Sequence, residues 1–394
     1  MVLFKKTKKP AIGLDIGHSS IKGLELQSTG SGYVVDRFGC VPLPSGGDPS
    51  RRVETVGRAI RDLFHQAGFS TKRVVTAVSG ESVIVRVLRL PYFSEKETKE
   101  LQFAVQSEAQ DFIPYDMADV AFDYQRLGVI DAGPEGKALE VLIVAAQKDH
   151  VSWHAEVARQ AGLDPRIVDI GSFALVNAVH YGAEMTPDSP IALVDIGSAV
   201  TNIAIMKGDT TRFTRDLSTA GSTITRAIMS ELGLDEKSAE NAKIEHGISY
   251  ESETSSDEPE MMTLSQSNLP DIFQLTGMEG GVEEEAQDSI DQRVHAICMQ
   301  FLGEIVSEIK RCLLFYENQL DGQPVEKVYL TGGTVCMKNA QRYIQTLLDT
   351  PTEILDPFSK VGGSIASLEP MLRGATYTTS LGLAMRSHIG EGVS

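Results

Sequence analysis

The chain has 394 residues, 42% hydrophobic and 23% charged, with a formal net charge of −18. That is length enough for two lobes with their own cores and a composition ordinary for a globular protein. No uncharged apolar run approaches the roughly 18 residues of a spanning helix, and the negative balance argues against nucleic acid as a partner.

Residues Met1–Pro10 are basic through Lys5, Lys6, Lys8 and Lys9. No apolar stretch of signal-peptide type follows, so a cytoplasmic location is expected. Short apolar runs predict strands at Ala11–Gly17, Ile21–Gln27 and Tyr33–Val41, and helical spacing predicts a helix at Val53–Ala67. Strands follow at Val74–Val78 and Val83–Leu88. A helix is expected to start at Ser94, with Glu97 completing a capping box. Strands Val120–Val129 and Leu139–Ala145 make residues 74–147 a small β-α-β-β module. A helix at Asp149–Ala161, the strand Arg166–Ile170 and another helix close this part.

The strands Ile191–Ile196 and Thr201–Met206 repeat the N-terminal pattern and mark a second lobe. Helices are expected at Thr219–Leu232 and Glu236–His246. Between Lys243 and Arg293 there is no Lys or Arg but there are thirteen Asp or Glu, so most of the excess charge sits in one segment. Ser249–Asp288 reads as a mobile acidic insertion, with a short transient helix around Leu264–Leu275. A long helix is expected at Asp291–Leu320, a strand at Val325–Leu330 and a last helix near Tyr377–Ser387. The four cysteines, Cys40, Cys298, Cys312 and Cys336, share no metal-type spacing and read as reduced core thiols.

The strongest signal is an internal repeat. Gly13-Leu14-Asp15-Ile16-Gly17 and Leu193-Val194-Asp195-Ile196-Gly197 have one form, each followed by a polar turn and an apolar strand. A carboxylate at the end of a buried strand costs several kcal/mol unless compensated, and a cation is the natural compensation for Asp15 and Asp195. Gly17 and Gly197 let the turns bring backbone N–H groups to a phosphate. Ser19, Ser20 and Ser198 add hydroxyl donors, and Lys22 adds a point charge. Two further motifs are weaker alone. Val328-Tyr329-Leu330-Thr331-Gly332-Gly333-Thr334 ends a strand on two glycines, over which a flat ring fits. Glu240 and Lys243 share one helical face and suit ribose and base contacts, or a plain salt bridge.

The order of these motifs resembles the actin-like ATPase superfamily. Within it the sequence resembles the PilM family of type IV pilus assembly proteins. The opening Gly13–Lys22 carries the likeness, with Leu90-Pro91, Glu108-Ala109, Ile113-Pro114, Phe122-Asp123-Tyr124 and Ala161-Gly162-Leu163. It runs over about residues 10–387, apart from the acidic segment. The resemblance implies an α/β, bilobal actin-like fold with a small inserted α+β subdomain. Its parts would be a basic tail (1–10), lobe I (11–75 and 166–187), an inserted partner-binding subdomain (76–165), lobe II (188–373, with the acidic insertion at 249–290) and a C-terminal helix returning to lobe I (374–394). It also implies ATP and Mg²⁺ as ligands. Asp15 and Asp195 would lie on the metal side, and Gly17, Ser19, Ser20, Lys22, Gly197 and Ser198 at the phosphates. Glu240 and Lys243 would meet the ribose and base, and Gly332 and Gly333 the adenosine. The expected partner is the cytoplasmic tail of a PilN-like inner-membrane protein, alongside other pilus assembly proteins, placing the chain at the inner face of that membrane through its partner.

One departure bears on mechanism. Hydrolytic members of the superfamily place a Gln or Glu where this chain reads Gly171, and Asp169 points elsewhere if Ile170 is core. The expectation is tight nucleotide binding, at most slow hydrolysis, and no catalytic side chain. The alternatives are an FtsA-like cell-division filament protein and a sugar or small-acid kinase of the same fold.

Overall fold

The computed structural model describes residues 10–29, 32–43, 49–92, 98–132, 136–182, 189–250, 284–318, 323–363 and 370–388. The first elements are β1 (Ile12–Ile16), β2 (Ser20–Thr29), β3 (Gly32–Pro42), α1 (Arg52–Ala67) and β4 (Arg73–Val78). A small unit follows, with β5 (Val83–Pro91), α2 (Lys99–Gln110), β6 (Val120–Asp131) and β7 (Lys137–Gln147). Then come α3 (Lys148–Gln160), β8 (Asp164–Ile170) and α4 (Gly171–Gly182). The second half holds β9 (Pro190–Ile196), β10 (Thr201–Lys207), β11 (Thr210–Leu217), α5 (Gly221–Leu232), α6 (Glu236–Glu245) and α7 (Glu284–Tyr316). It closes with β12 (Lys327–Thr331), α8 (Ala340–Leu348), β13 (Thr352–Ile354), β14 (Gly362–Gly363) and α9 (Pro370–Arg386).

Three sheets result. One has six strands in the order β14-β3-β2-β1-β4-β8, one has five in the order β11-β10-β9-β12-β13, and one has three in the order β5-β7-β6. In both large sheets an antiparallel hairpin, β1–β2 or β9–β10, is continued by a parallel neighbour, β4 or β12. The apolar stripe of α1, Val56, Ile60 and Leu63, packs on Ile12, Leu14 and Ile21 of the first hairpin, together with Val157 and Ala158 of α3. Each such side chain taken fully out of water contributes roughly 1.5–3 kcal/mol. The small sheet is covered by α2, whose Leu101, Val105 and Ala109 meet Leu139, Val141 and Ile143. By pairing, β4 belongs to the first large sheet, so the small sheet itself spans residues 83–147.

Helix α9 lies against β1 and α4 at two notches where only glycine fits. A Cβ on Gly13 would strike the Ser380 carbonyl, and one on Gly382 would strike that of Ala174. The contacts hold the end of the chain across the back of the first sheet.

Some expectations need correction. Helix α2 does not start at Ser94, which lies outside the described residues with Glu97. Thr98 is extended (φ −128, ψ 160) and caps the helix by accepting the Leu101 N–H. Helix α7 begins at Glu284, inside the segment assigned to the insertion. The central part of that insertion, 251–283, and the helix suggested around Leu264–Leu275 lie outside the described residues, as do residues 1–9. Strand β11 was not expected, because Thr210–Leu217 is largely polar; it is an edge strand. Cys298 and Cys312 are buried in α7, but Cys40 is exposed and so is not a core thiol.

Candidate functional site

The repeated motif folds into two hairpins with the same turn. In the first, Gly17 N–H donates to the Ser20 carbonyl at 3.1 Å; in the second, Gly197 N–H donates to Val200 at 3.0 Å. A Cβ on Gly17 would lie 2.8 Å from the Ser20 oxygen, and one on Gly197 would lie 2.8 Å from that of Val200. Neither turn tolerates a side chain, so the glycines are demanded by close approach.

The hairpins face each other across a cleft of about 1240 Å³, its open mouth included. All twelve residues singled out in the sequence line it: Asp15, Gly17, Ser19, Ser20, Lys22, Asp195, Gly197, Ser198, Glu240, Lys243, Gly332 and Gly333. Lys22 Nζ lies 3.4 Å from Asp15 Oδ2. Burial opposes its charge, yet Asp15 and Asp195 hold its pKa above the ordinary lysine value. Burial first, and the Asp15 charge second, push the Asp195 carboxyl up to about 6. The cleft floor thus carries two carboxylates against one ammonium.

This donor set fits a hard divalent cation such as Mg²⁺, which is usually held by one or two carboxylates with water and phosphate oxygens. Among the described residues no cluster of three or more His, Cys, Asp or Glu is arranged to hold a metal alone. A cation here would have to complete its coordination with groups other than these side chains.

On the far side of the cleft, Gly332 is crowded and Gly333 is open. Gly332 has φ +93, and a Cβ there would strike Asp195 and the Ile196 carbonyl; around Gly333 nothing lies within 4 Å. The space over Gly333 is therefore open to the cleft. Lys243 is buried and donates to Glu240 at 2.7 Å and to Thr225 Oγ1 at 3.0 Å. Glu240 also accepts the Thr225 hydroxyl at 2.6 Å. The pair is a salt bridge at the cleft wall with its lysine buried and its glutamate side chain open to the cleft.

Gly171 also lines the cleft, and a Cβ there would strike Ser79 Oγ. Asp169 points away: it is buried, with Arg386 Nε 3.1 Å from its Oδ2, while Ile170 is core. No carboxylate or amide therefore reaches the cleft from the start of α4.

Several lining residues went unnoticed in the sequence. Asn202 stands opposite Asp195 in the β9–β10 register, as Lys22 stands opposite Asp15 in β1–β2. Extending the repeat by its strand register would have found it. Thr376, Thr378 and Thr379 reach the cleft from α9, with Thr379 Oγ1 3.4 Å from Asp195 Oδ2. His18, His150 and His154 line it as well. Burial, then the neighbouring His150 and His18, push His154 down to about 3, so it is neutral.

A second hollow, about 1770 Å³ with its open mouth included, lies between the edge strands β5 and β11, with Arg86, Phe213, Asp216 and Phe315 among its lining residues. Two polar contacts cross between its sides, and a third anchors one of them within the small sheet. Gly80 N–H donates to Asp216 Oδ2 at 2.6 Å. Arg212 of β11 sits 3.0 Å from Glu140 of β7, which also accepts from Arg89 of β5 at 3.2 Å.

Comparison with known proteins bears on the family and the fold. The profile of the family described as type IV pilus assembly protein PilM matches residues 13–275, and that of cell division protein FtsA matches residues 192–382. FtsA of Bacillus subtilis (strain 168) is 25% identical, covering 94% of this chain and 82% of the relative. FtsA of Pseudomonas aeruginosa is 24% identical, covering 96% and 89%. Among solved structures, the PilM-PilN type IV pilus biogenesis complex superposes with a TM-score of 0.75 at 24% identity, over 97% of this chain and 100% of that one. The fold is that of the actin-like ATPases.

Proposed function

Because the chain belongs to the PilM family of type IV pilus assembly proteins, we propose that it is an ATP-binding scaffold that holds the cytoplasmic tail of a PilN-like membrane protein. The observation that carries the nucleotide reading is the pair of hairpins with identical turns and facing aspartates, Asp15 and Asp195. Mg²⁺ would be held by these two carboxylates through water and phosphate oxygens. The turns at Gly17 and Gly197, with Ser19, Ser20, Ser198 and Lys22, would cradle the phosphates. Glu240 and Lys243 would meet the ribose and base, and the adenosine would lie over Gly332 and Gly333.

The partner reading is supported by the likeness to a PilM-PilN complex and by the groove between β5 and β11. Among the described residues no helix is long and apolar enough to cross a membrane. Attachment to the inner face of the membrane would come through the partner. ATP would set the lobe angle and so the shape of the groove, which requires the tail to prefer one lobe arrangement.

Titration calorimetry tests both halves, first with ATP with and without Mg²⁺, then with a synthetic PilN-like tail peptide with and without ATP–Mg²⁺. Tail binding in neither state would remove the partner reading and leave the fold intact. The matches to FtsA favour a second reading, a cell-division filament protein. ATP-dependent polymers in sedimentation, without tail binding, would select it.

A further inference from the structure

We infer that Asp216 is the coupling residue between the two cavities: its grip on the Gly80 amide carries the nucleotide state of the cleft to the groove. The inference rests on the reading of that groove as the tail site.

The residues stand at the boundary of both cavities. Gly80 and Asp216 line the groove, while Ser79, Val200 and Asn202 line the cleft. Across β9, β10 and β11 the register sets Asn202 opposite Asp195 on one side and opposite Asp216 on the other. Directly opposed residues share a sheet face. Asp195, Asn202 and Asp216 therefore form one polar row, from the proposed cation to the groove. The row ends on a bond to the other half of the molecule, Gly80 N–H to Asp216 Oδ2 at 2.6 Å.

The receiving side is tight. The turn between β4 and β5 is closed by Val83 N–H donating to the Gly80 carbonyl at 2.9 Å. Gly80 has φ +98, and a Cβ there would lie 3.8 Å from Val200 Cγ2, so the turn sits over the second hairpin. A shift of Gly80 is thus passed to β5, one wall of the groove. Asp216 belongs to β11, the other wall. A ligand that draws the two hairpins together moves β9, β10 and β11 as one hydrogen-bonded body. The Asp216–Gly80 bond converts that movement into a change of groove width. Burial pushes the Asp216 carboxyl up to about 7, with the Gly80 bond working against it. A carboxylate held where it is unfavourable suits a contact that must yield.

The test compares wild type, Asp216→Ala and Asp216→Asn. Tail affinity is measured with and without ATP–Mg²⁺, and hydrogen exchange of the Gly80 amide is followed under the same conditions. In the wild type the two tail affinities should differ by about fivefold or more, and nucleotide should slow Gly80 exchange. In Asp216→Ala, ATP still binds, the affinity ratio falls to about one, and Gly80 exchanges fast in both states. Asp216→Asn keeps an acceptor and should restore the ratio and the protection, which separates coupling from loss of stability. An Asp216→Ala protein with the wild-type ratio, or wild-type Gly80 exchange indifferent to nucleotide, overturns the inference. Failure of the peptide to bind wild type at all, with Gly80 still responding to ATP, removes the tail reading and leaves the cleft–latch link standing.

Discussion

Lys22 and Asn202 occupy the same place in the two halves of the repeat, each directly across a hairpin from its aspartate, Asp15 and Asp195. The first hairpin answers its carboxylate with an ammonium, the second with a neutral amide. The two hairpins thus set two carboxylates against one ammonium, and Asp195, raised to about 6 by burial first and by the Asp15 charge second, has no cationic partner across its own hairpin. The asymmetry makes the second hairpin the one that most needs a cation.

Asp195→Asn should accordingly separate binding from stability. Removing the buried charge should raise the melting temperature of the ligand-free protein at pH 7.5 by about 2–5 °C. The same change should weaken Mg²⁺-dependent ATP binding by about 30-fold, roughly 2 kcal/mol. Calorimetry and thermal unfolding on one preparation check both, and unchanged affinity for ATP–Mg²⁺ would refute the assignment.

The glycine pair after β12 gives a sharper contrast. Gly332→Ala meets Asp195 and backbone and must hold φ near +93, so the variant should unfold about 5 °C or more below wild type. Gly333→Ala meets nothing within 4 Å and should fold like wild type. It fills the space proposed for the ring, so ATP affinity should drop about tenfold. Equal ATP affinity in Gly333→Ala and wild type would move the base elsewhere.

The hairpins were legible because a tight turn is a local event. Asp, Ile and Gly in sequence, followed by a short polar turn, suffice to specify it, and two copies identify the cleft. What stayed hidden depends on residues far apart in sequence. Strand β11 has little apolar content because it is an edge strand, and only its pairing to β10 makes it visible. The α9 threonines enter the cleft because Gly13 and Gly382 let that helix sink against β1 and α4. The start of α2 differs because Ser94 with Glu97 satisfies the capping-box pattern in sequence, whereas the extended backbone of Thr98, whose side chain accepts the Leu101 N–H, is what starts the helix.

Asp216 predicts a pH dependence whose sign is set by its raised carboxyl, ordinary value 3.8, folded value about 7. Between those values the folded protein holds a proton that the unfolded chain has released. Stability from this group is therefore lost as pH rises across that window, by up to about one proton in slope, and is level above it. Asp216→Asn lacks the term, so relative to wild type the variant should gain stability from about pH 4 to about pH 7. Denaturant unfolding at a series of pH values measures it. A constant difference across the window would mean Asp216 is not buried as described.

Turnover is the last expectation, and it follows from the crowding at Gly171. A rate of 1 s⁻¹ corresponds to a barrier of about 17 kcal/mol, and reaching it calls for a positioned group to orient water. Position 171 offers no side chain, and Ser79 Oγ occupies the space where a Cβ would go. Wild-type hydrolysis should therefore be well below 1 s⁻¹. Gly171→Ala should cost about 1–2 kcal/mol from overpacking, and Ser79→Ala should relieve most of that cost, since the Ser79 Cβ is 3.4 Å from the new atom. In the Ser79→Ala background, Gly171→Gln places an amide at the cleft wall, so hydrolysis should rise above wild type. Steady-state phosphate release from the four proteins decides the matter: a wild type that already turns over faster than 1 s⁻¹ would show that another residue orients the water.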